Sequence, residues 1–305
     1  MSLSSPAVLQ AHALTKRYRR AVAVDDLTFE VRPGRVTGFL GPNGAGKSTT
    51  LRMFLGLDRP TSGAATVGGL RLAETPHPAR VVGAMLDARA LHPRRTAHDH
   101  LAAVAAAAGV PRSRVAASLA RVGLADAARR PAGEFSLGMK QRLGIATALI
   151  GDPGVVVFDE PLNGLDPEGI RWARTLMRDL AAEGRTVLFS SHLMGEMELT
   201  ADHLVVIHHG RLLADQPLAA FISDRATEHV RTRTPDRARL HDALRRAGLH
   251  ARDDGAGALV VTGATTDHVG HVAATAAVEL SELTAVRESL EDAFLAMTST
   301  RKDAA

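Results

Sequence analysis

With 305 residues, of which 45% are hydrophobic, the chain can bury about three quarters of its unfolded surface, in one large domain or two unequal ones. A formal net charge of +4 without an aromatic-interleaved basic stripe predicts no nucleic-acid partner, and zero cysteines exclude a disulfide scaffold, a thiolate zinc site and a cysteine nucleophile. Because the sequence has neither a charge-free run of about 18 apolar residues nor a secretory signal pattern, we expect it neither to span a membrane nor to be secreted.

The pattern of apolar residues predicts two domains, residues 1–215 and 216–305. Up to about residue 215, short apolar runs alternate with helical patterns, which predicts an α/β domain with a largely parallel sheet. Val36–Leu40 and Val155–Phe158 are typical of buried strands. Between these strands, residues 88–150 are rich in alanine and helical in pattern, so we expect a helical subdomain inserted into the sheet domain.

Directly after the strand that ends at Leu40, the sequence fits the phosphate-loop pattern G-x-x-x-x-G-K-S and continues into a helical pattern. Glycines let backbone N–H groups converge on phosphate oxygens, and the new helix points its N-terminus at their charge. The alternative is a glycine-rich turn that matches by chance. Lys47 is expected to bridge the β- and γ-phosphates of ATP, and Ser48 to ligate Mg²⁺. The predicted ATP-binding residues of this segment are Gly41, Pro42, Asn43, Gly44, Ala45, Gly46, Lys47, Ser48 and Thr49.

A second anion-binding pattern, Phe135–Arg142, follows further along the chain. Ser136 stands where a helix would begin, so its hydroxyl and the next N–H groups can bind an anion, although an ordinary helix N-cap has the same pattern. Together with Gly138, the segment resembles the signature motif of ABC transporter ATPases. Its form, Phe-Ser-Leu-Gly-Met followed by Lys-Gln-Arg, is similar to that of exporter ATPases of the daunorubicin-resistance and bacteriocin-immunity kind. In that family, the signature contacts the γ-phosphate bound by the opposite subunit of a dimer.

The strand Val155–Phe158 ends in two carboxylates, Asp159 and Glu160, as expected of a buried parallel strand that delivers acids at its carboxyl end. Asp159 is expected to hold Mg²⁺. Glu160 is expected to orient and deprotonate the attacking water, and a positioned general base contributes about 10²- to 10⁴-fold to a rate. The alternative is that the two acids are only structural, since many buried strands end in acids.

The resemblance assigns roles to four further residues. Tyr18 lies where the family places an aromatic ring that stacks on adenine, although a tyrosine early in a strand can simply pack. Asp166 corresponds to the D-loop aspartate that acts across the dimer interface. His192, at the end of an apolar strand, corresponds to the switch histidine near the γ-phosphate, although such a histidine is usually structural. Asp87 stands where the family usually has a glutamine that contacts Mg²⁺ and communicates with the membrane partner. Its shorter, anionic side chain can still reach Mg²⁺ through water, whereas the departure from glutamine puts the coupling role in doubt.

Residues 216–305 contain no phosphate motif and show short strand and helix patterns, so we expect a small α/β accessory domain. Strands are predicted around Glu228–Thr234 and Ala258–Thr262. A capping-box pattern at Ser289–Asp292 predicts a last helix that presents Leu290, Phe294 and Met297 on one face.

The resemblance implies the P-loop NTPase fold of ABC ATPases, with a mixed sheet and an inserted helical subdomain. It further implies a Mg²⁺-dependent ATPase that pairs with a second copy of itself and drives a membrane permease carried on a separate chain, at the inner face of the cell membrane. We expect the cargo to be a drug, an antibiotic or another hydrophobic compound. Two alternatives stay open: an importer ATPase, and a soluble ABC ATPase that acts on nucleic acid or ribosomes.

Overall fold

The computed structural model describes residues 8–19, 21–223, 229–286, 290–291 and 294. It divides into two compact units, Met1–Leu218 and Ala219–Ala305. The first unit therefore ends at residue 218 rather than at 215. The physical reason is that the strand Arg211–Pro217 pairs along its length with the strand His203–His208 and so belongs to the first sheet domain.

The first unit contains nine described strands and seven described α-helices. The strands are β1 (Leu9–Tyr18), β2 (Ala21–Val31), β3 (Val36–Leu40), β4 (Ser62–Val67), β5 (Val82–Met85), β6 (Val155–Asp159), β7 (Thr186–Ser191), β8 (His203–His208) and β9 (Arg211–Pro217). The helices are α1 (Lys47–Phe54), α2 (Pro78–Val81), α3 (Ala97–Ala107), α4 (Arg114–Arg121), α5 (Leu137–Leu149), α6 (Pro167–Ala182) and α7 (Met194–Glu198). A short helix, α8 (Leu218–Ser223), follows β9 at the boundary.

A six-stranded sheet in the order β5-β6-β7-β3-β8-β9 forms the centre of the first unit. Every pairing is parallel except that of β8 with β9. Every residue of β3 and β7 is buried, as expected of strands in the middle of a parallel sheet that is covered on both faces. Because β6, β7 and β3 are neighbours and parallel, the three segments that follow them begin at the same edge of the sheet.

A second, three-stranded antiparallel sheet in the order β2-β1-β4 was not anticipated from the sequence. Helix α1 contacts β2 and β4 of this sheet and β6 of the larger one. Phe29 of β2 packs against Phe39 of β3 and Phe54 of α1, with ring centroids 5.5 and 5.9 Å apart. The helix that follows the phosphate loop is therefore held between two sheets by one apolar core.

The inserted helices α3, α4 and α5 lie between the neighbouring strands β5 and β6 in sequence. A chain of alternating charges fixes α4 to the sheet domain. Arg114 pairs with Asp152 at 3.0 Å, Asp152 with Arg185 at 2.8 Å, Arg185 with Glu183 at 2.8 Å, and Glu183 with Arg121 at 3.1 Å. Single exposed ion pairs contribute little to stability, whereas a connected network of this kind holds both ends of the helix.

Close packing of α5 on β5 depends on Gly83. A Cβ atom at this position would lie 1.9 Å from the backbone oxygen of Ala148. We expect Gly83→Ala to lower the free energy of unfolding by about 1–3 kcal/mol, because α5 would have to move away from the sheet. Urea unfolding followed by the fluorescence of Trp172, the only tryptophan, measures this change in the first unit. Gly154→Ala is the control, since a Cβ there meets no atom within 4 Å, and equal losses in both variants would contradict the prediction.

The second unit has the chain order β-α-β-β-α-β. Its elements are β10 (His229–Arg233), α9 (Arg237–Arg246), β11 (His250–Asp253), β12 (Leu259–Thr262), α10 (Thr266–Thr275) and β13 (Glu282–Val286). The sheet order β11-β12-β10-β13, with antiparallel pairings throughout, is the ferredoxin-like arrangement. Apolar residues of the sheet and both helices form its core. Of the predicted last helix, Leu290 and Phe294 are buried, whereas Ser289, Asp292 and Met297 lie outside the described residues, as does Glu228.

Candidate nucleotide-binding site

A cavity of about 310 Å³ lies at the sheet edge where β3 and β6 end. Its lining combines the loop after β3 with the two acids at the end of β6. The lining residues are Ala23, Pro42, Asn43, Gly44, Gly46, Lys47, Ser48, Thr49, Leu86, Asp159 and Glu160. A larger cleft, of about 520 Å³, lies between α4 and α6, but it contains none of these groups, so its size does not make it the chemical centre.

The loop from Gly41 to Gly46 has the shape of an anion-binding turn. Gly44 and Gly46 adopt positive φ angles of 81° and 104°, which L side chains rarely adopt. A Cβ atom on Gly46 would also lie 2.4 Å from the backbone oxygen of Ala23. Helix α1 begins at Lys47, so its N-terminal N–H groups and the positive end of its dipole are directed at this loop.

The ammonium group of Lys47 is folded back onto the loop. Its Nζ donates to the oxygen of Gly41 at 2.6 Å and to that of Pro42 at 3.4 Å, and it lies 3.8 Å from Glu160 Oε1. Burial lowers the pKa of Lys47, while the charges of Glu160 and Asp159 oppose that shift. A cation held by two carbonyl oxygens and a carboxylate has donors that a phosphate group can take over.

Two oxygen groups suited to Mg²⁺ meet at one side of the cavity. Ser48 Oγ donates to Asp159 Oδ2 at 2.7 Å, and the other carboxylate oxygen, Oδ1, accepts from Ser190 Oγ. Among the described residues, no cluster of three or more His, Asp or Glu side chains could form an all-protein metal cage. Mg²⁺ typically binds one or two protein oxygens together with substrate phosphates, so this pair fits the ion when a nucleotide supplies the remaining ligands.

The carboxylate of Glu160 is held by neighbours on both sides. Its Oε2 lies 3.0 Å from His192 Nδ1 and accepts from Asn163 Nδ2 at 3.3 Å, while its backbone N–H donates to Ser190 Oγ at 3.0 Å. Glu160 has a φ of 50°, which is uncommon for a residue other than glycine. The structure thus brings His192 and Glu160 into direct contact from two neighbouring strands, β7 and β6.

Tyr18 and Asp87 lie outside the set of described residues that line the cavity. The Tyr18 hydroxyl donates to Asp58 Oδ2 at 2.9 Å, and Lys16 Nζ lies 4.8 Å from the centre of the ring, which is exposed. Burial of the hydroxyl, followed by this hydrogen bond, raises the pKa of Tyr18. Asp87 is exposed and accepts from the backbone N–H of Arg89 at 2.7 Å, while its neighbour Leu86 lines the cavity.

Ser136, Gly138 and Asp166 also lie outside that lining set. Ser136 is exposed and caps α5 by accepting from the N–H of Met139 at 3.2 Å. Asp166 is exposed and caps α6 by accepting from the N–H of Gly169 at 2.8 Å. A Cβ on Gly138 would be 3.5 Å from the oxygen of Gly164. Within one chain, these residues therefore form a second surface at the start of α5 and α6.

Three polar residues at the site were given no role from the sequence. Ser190 contacts both acids, Asn163 contacts Glu160, and Gln141 donates to backbone oxygens of the loop that follows Glu160. The signal for Ser190 was available, because a polar residue directly after the buried apolar run Val187–Phe189 needs a hydrogen-bond partner. Nothing local in the sequence shows where Gln141 and Asn163 point.

No helix in the described part of the chain combines the length and the apolar character needed to cross a membrane.

Comparisons with known proteins repeatedly match the chain to ABC transporter proteins. A family model described as ABC transporter matches residues 24–163, and one described as a domain of unknown function (DUF8746) matches residues 228–291. The chain is 40% identical over 213 residues to the bacitracin transport ATP-binding protein BcrA of Bacillus licheniformis, which covers 69% of this chain and 70% of that protein. It is 34% identical over 300 residues to the uncharacterized ABC transporter ATP-binding protein YhcH of Bacillus subtilis (strain 168), covering 97% of each. A solved ATP-binding subunit of an ABC transporter has a TM-score of 0.65 and 31% identity, covering 71% of this chain and 92% of that chain.

Proposed function

This chain belongs to the ABC transporter family as an ATP-binding, ATP-hydrolysing subunit, and we propose that it drives export of a drug or antibiotic through a membrane permease carried on a separate chain. The resemblance and the fold inferred from the sequence are confirmed. The observation that carries the proposal is that Lys47, the Ser48–Asp159 pair and Glu160 surround one cavity at the sheet edge.

In the proposed reaction, the loop N–H groups and Lys47 bind the phosphates of ATP. Ser48 and Asp159 would hold Mg²⁺, which would supply positive charge that screens the phosphates. Glu160 takes a proton from the attacking water. His192 Nδ1 lies 3.0 Å from the Glu160 carboxylate and orients that carboxylate. Tyr18 contributes an exposed ring on which adenine can stack. The role of Asp87 stays a prediction, since its carboxylate is exposed and bonded to its own turn.

We further propose that two copies of the chain complete each other's sites. Ser136 and Gly138 lie at the exposed N-terminus of α5, where the hydroxyl and N–H groups can meet a γ-phosphate bound by a second copy. Asp166 lies at the neighbouring end of α6 and would contact the partner's loop. The isolated monomer is therefore expected to be a poor enzyme. In the cell, we expect the chain to lie at the inner face of the membrane, where it is bound to its permease.

The form of the signature motif favours export over import, and the name of the bacitracin relative favours an antibiotic as the cargo. The test is expression of the chain, together with the membrane protein encoded beside it, in a bacitracin-sensitive host. Higher resistance and lower cell-associated bacitracin, both lost in the Glu160→Gln variant, are expected. Increased uptake would indicate an importer, and binding of ribosomal RNA with a steep salt dependence would support the nucleic-acid alternative.

Hydrolysis itself is expected to depend on a divalent ion. Because Ser48 and Asp159 place two oxygen groups suited to Mg²⁺ beside the phosphate loop, removal of Mg²⁺ with EDTA should abolish ATP turnover by the full chain, and excess Mg²⁺ should restore it. Phosphate release measures the rate, and Asp159→Asn should need a higher Mg²⁺ concentration for half-maximal turnover. An Mg²⁺ dependence identical to that of the parental chain would refute the assignment of Asp159.

A further inference from the structure

The loop that follows the proposed base is attached to helix α5 at several points. Gln141 Nε2, on α5, donates to the backbone oxygen of Asn163 at 2.8 Å and approaches that of Glu160 at 3.5 Å. The N–H of Asn163 closes the same turn onto the oxygen of Glu160 at 3.3 Å. The Leu137 side chain comes within 2.2 Å of the point that a Cβ on Gly164 would occupy. The turn at Glu160 is thus fixed to the helix whose first residue is capped by Ser136.

Asn163 also reaches the carboxylate itself. Its Nδ2 donates to Glu160 Oε2 at 3.3 Å, the oxygen that also faces His192 Nδ1 at 3.0 Å. The other oxygen, Oε1, is left facing Lys47 Nζ at 3.8 Å. Two donors on one oxygen set the rotation of the carboxylate, and Asn163 is the donor that arrives from the loop.

We propose that Asn163 is a positioning residue for the base Glu160, and that Gln141 holds Asn163 in place from α5. The inference rests on the proposed function, because it takes Glu160 as the base. Helix α5 would then have two roles. Its capped N-terminus would present Ser136 to the partner's nucleotide, and Gln141 in its second turn would hold the base of its own subunit in place through Asn163.

The environment of Gln141 separates this role from a purely structural one. Gln141 is 6% exposed, and its Oε1 has no hydrogen-bond partner among the described residues. Replacing Gln141 by methionine, of similar size, removes this unpaired acceptor, but it also removes the Nε2 donor of the loop oxygens, so the two effects on stability oppose each other. Replacing a residue that serves stability alone lowers the free energy of unfolding. Replacing a positioning residue lowers ATP turnover without a matching loss of that free energy.

The first experiment compares Asn163→Ala, Asn163→Asp and Gln141→Met in the full chain with ATP and Mg²⁺. We expect kcat to fall about tenfold in each, with KM and the Kd of ATP within about twofold, because a misplaced base affects the chemical step rather than binding. An aspartate side chain has the shape of asparagine but, when ionised, no donor, so parental turnover in Asn163→Asp would overturn the proposal. Because the two effects on stability oppose each other, the unfolding midpoint of Gln141→Met should stay close to the parental value. Gln10→Met, at an exposed amide on β1, is the matched control and should keep the parental kcat.

The second experiment asks whether Asn163 acts through Glu160. In a Glu160→Gln background, adding Asn163→Ala should change the residual single-turnover rate by less than about twofold, since the group that it positions is already absent. A further tenfold loss would show an independent role and overturn the proposal. Failure of the proposed function is distinguishable, because it would appear as absence of Mg²⁺-dependent turnover in the parental chain itself.

Discussion

Replacing Glu160 by glutamine is expected to reduce ATP turnover by about 10²- to 10⁴-fold, the usual contribution of a general base, while ATP affinity stays within about twofold. The amide keeps the size of the side chain and an oxygen that can accept from Asn163 or His192, but it cannot take a proton from water. Binding is spared because the groups aimed at the phosphates are Lys47 and the loop N–H groups rather than Glu160.

The measurement is single-turnover hydrolysis together with the Kd of ATP. Because we propose that two copies close around bound ATP, a variant that binds ATP without hydrolysing it should stay closed, so Glu160→Gln with ATP and Mg²⁺ should also run as a dimer in size-exclusion chromatography. Glu279→Gln, at an exposed glutamate of the second unit, is the matched control. If Glu160→Gln hydrolysed ATP at the parental rate, another group would be the base, and the inference about Asn163 would lose its basis.

Replacing Lys47 by methionine should instead act on binding, weakening ATP affinity by about 10- to 100-fold, as expected for loss of a charged hydrogen-bond donor. Lys47 is 7% exposed, and methionine retains the apolar part of its buried stem. The lost group is the ammonium, which contacts Gly41 O and approaches Glu160 Oε1. Burial lowers the pKa of Lys47, but the carboxylates of Glu160 and Asp159 oppose that shift.

Comparison of ATP with AMP provides the internal control for Lys47→Met. The proposed contacts of Lys47 are with the β- and γ-phosphates, so the affinity for AMP should change by less than about twofold. Isothermal titration with both nucleotides measures the difference. An equal loss for ATP and AMP would indicate a general distortion of the loop, and no loss for either would count against the assignment of Lys47 to the phosphates.

Several features could be inferred from local sequence because their physical causes are local. A phosphate loop requires glycines at positive φ immediately before a helix N-terminus, and Gly44 and Gly46 meet that requirement. A buried parallel strand requires a continuous apolar run, as in β6, and the acids at its end must lie at the carboxyl edge of the sheet. The family resemblance added roles for Tyr18 and Ser136, which no pattern of hydrophobicity implies.

The antiparallel sheet and the strand order of the second unit were not inferred from the sequence, for two different reasons. β1 has register shifts in both of its pairings, so its apolar residues do not alternate cleanly, and the periodicity by which a strand is recognised is lost. In the second unit, the strands are only four or five residues long, so the sequence indicates that strands exist without showing how they pair.

By itself, the sequence determined which groups exist: a phosphate loop ending in Lys47 and Ser48, two acids at Asp159 and Glu160, and a histidine at the end of a later strand. Only the tertiary structure decided which of them touch. The order β6-β7-β3 brings His192 to Glu160 and Ser48 to Asp159, and the packing of α5 brings Gln141 to Asn163. The reason is physical, since periodicity and turn chemistry act over a few residues, whereas these contacts join residues 22 to 111 positions apart.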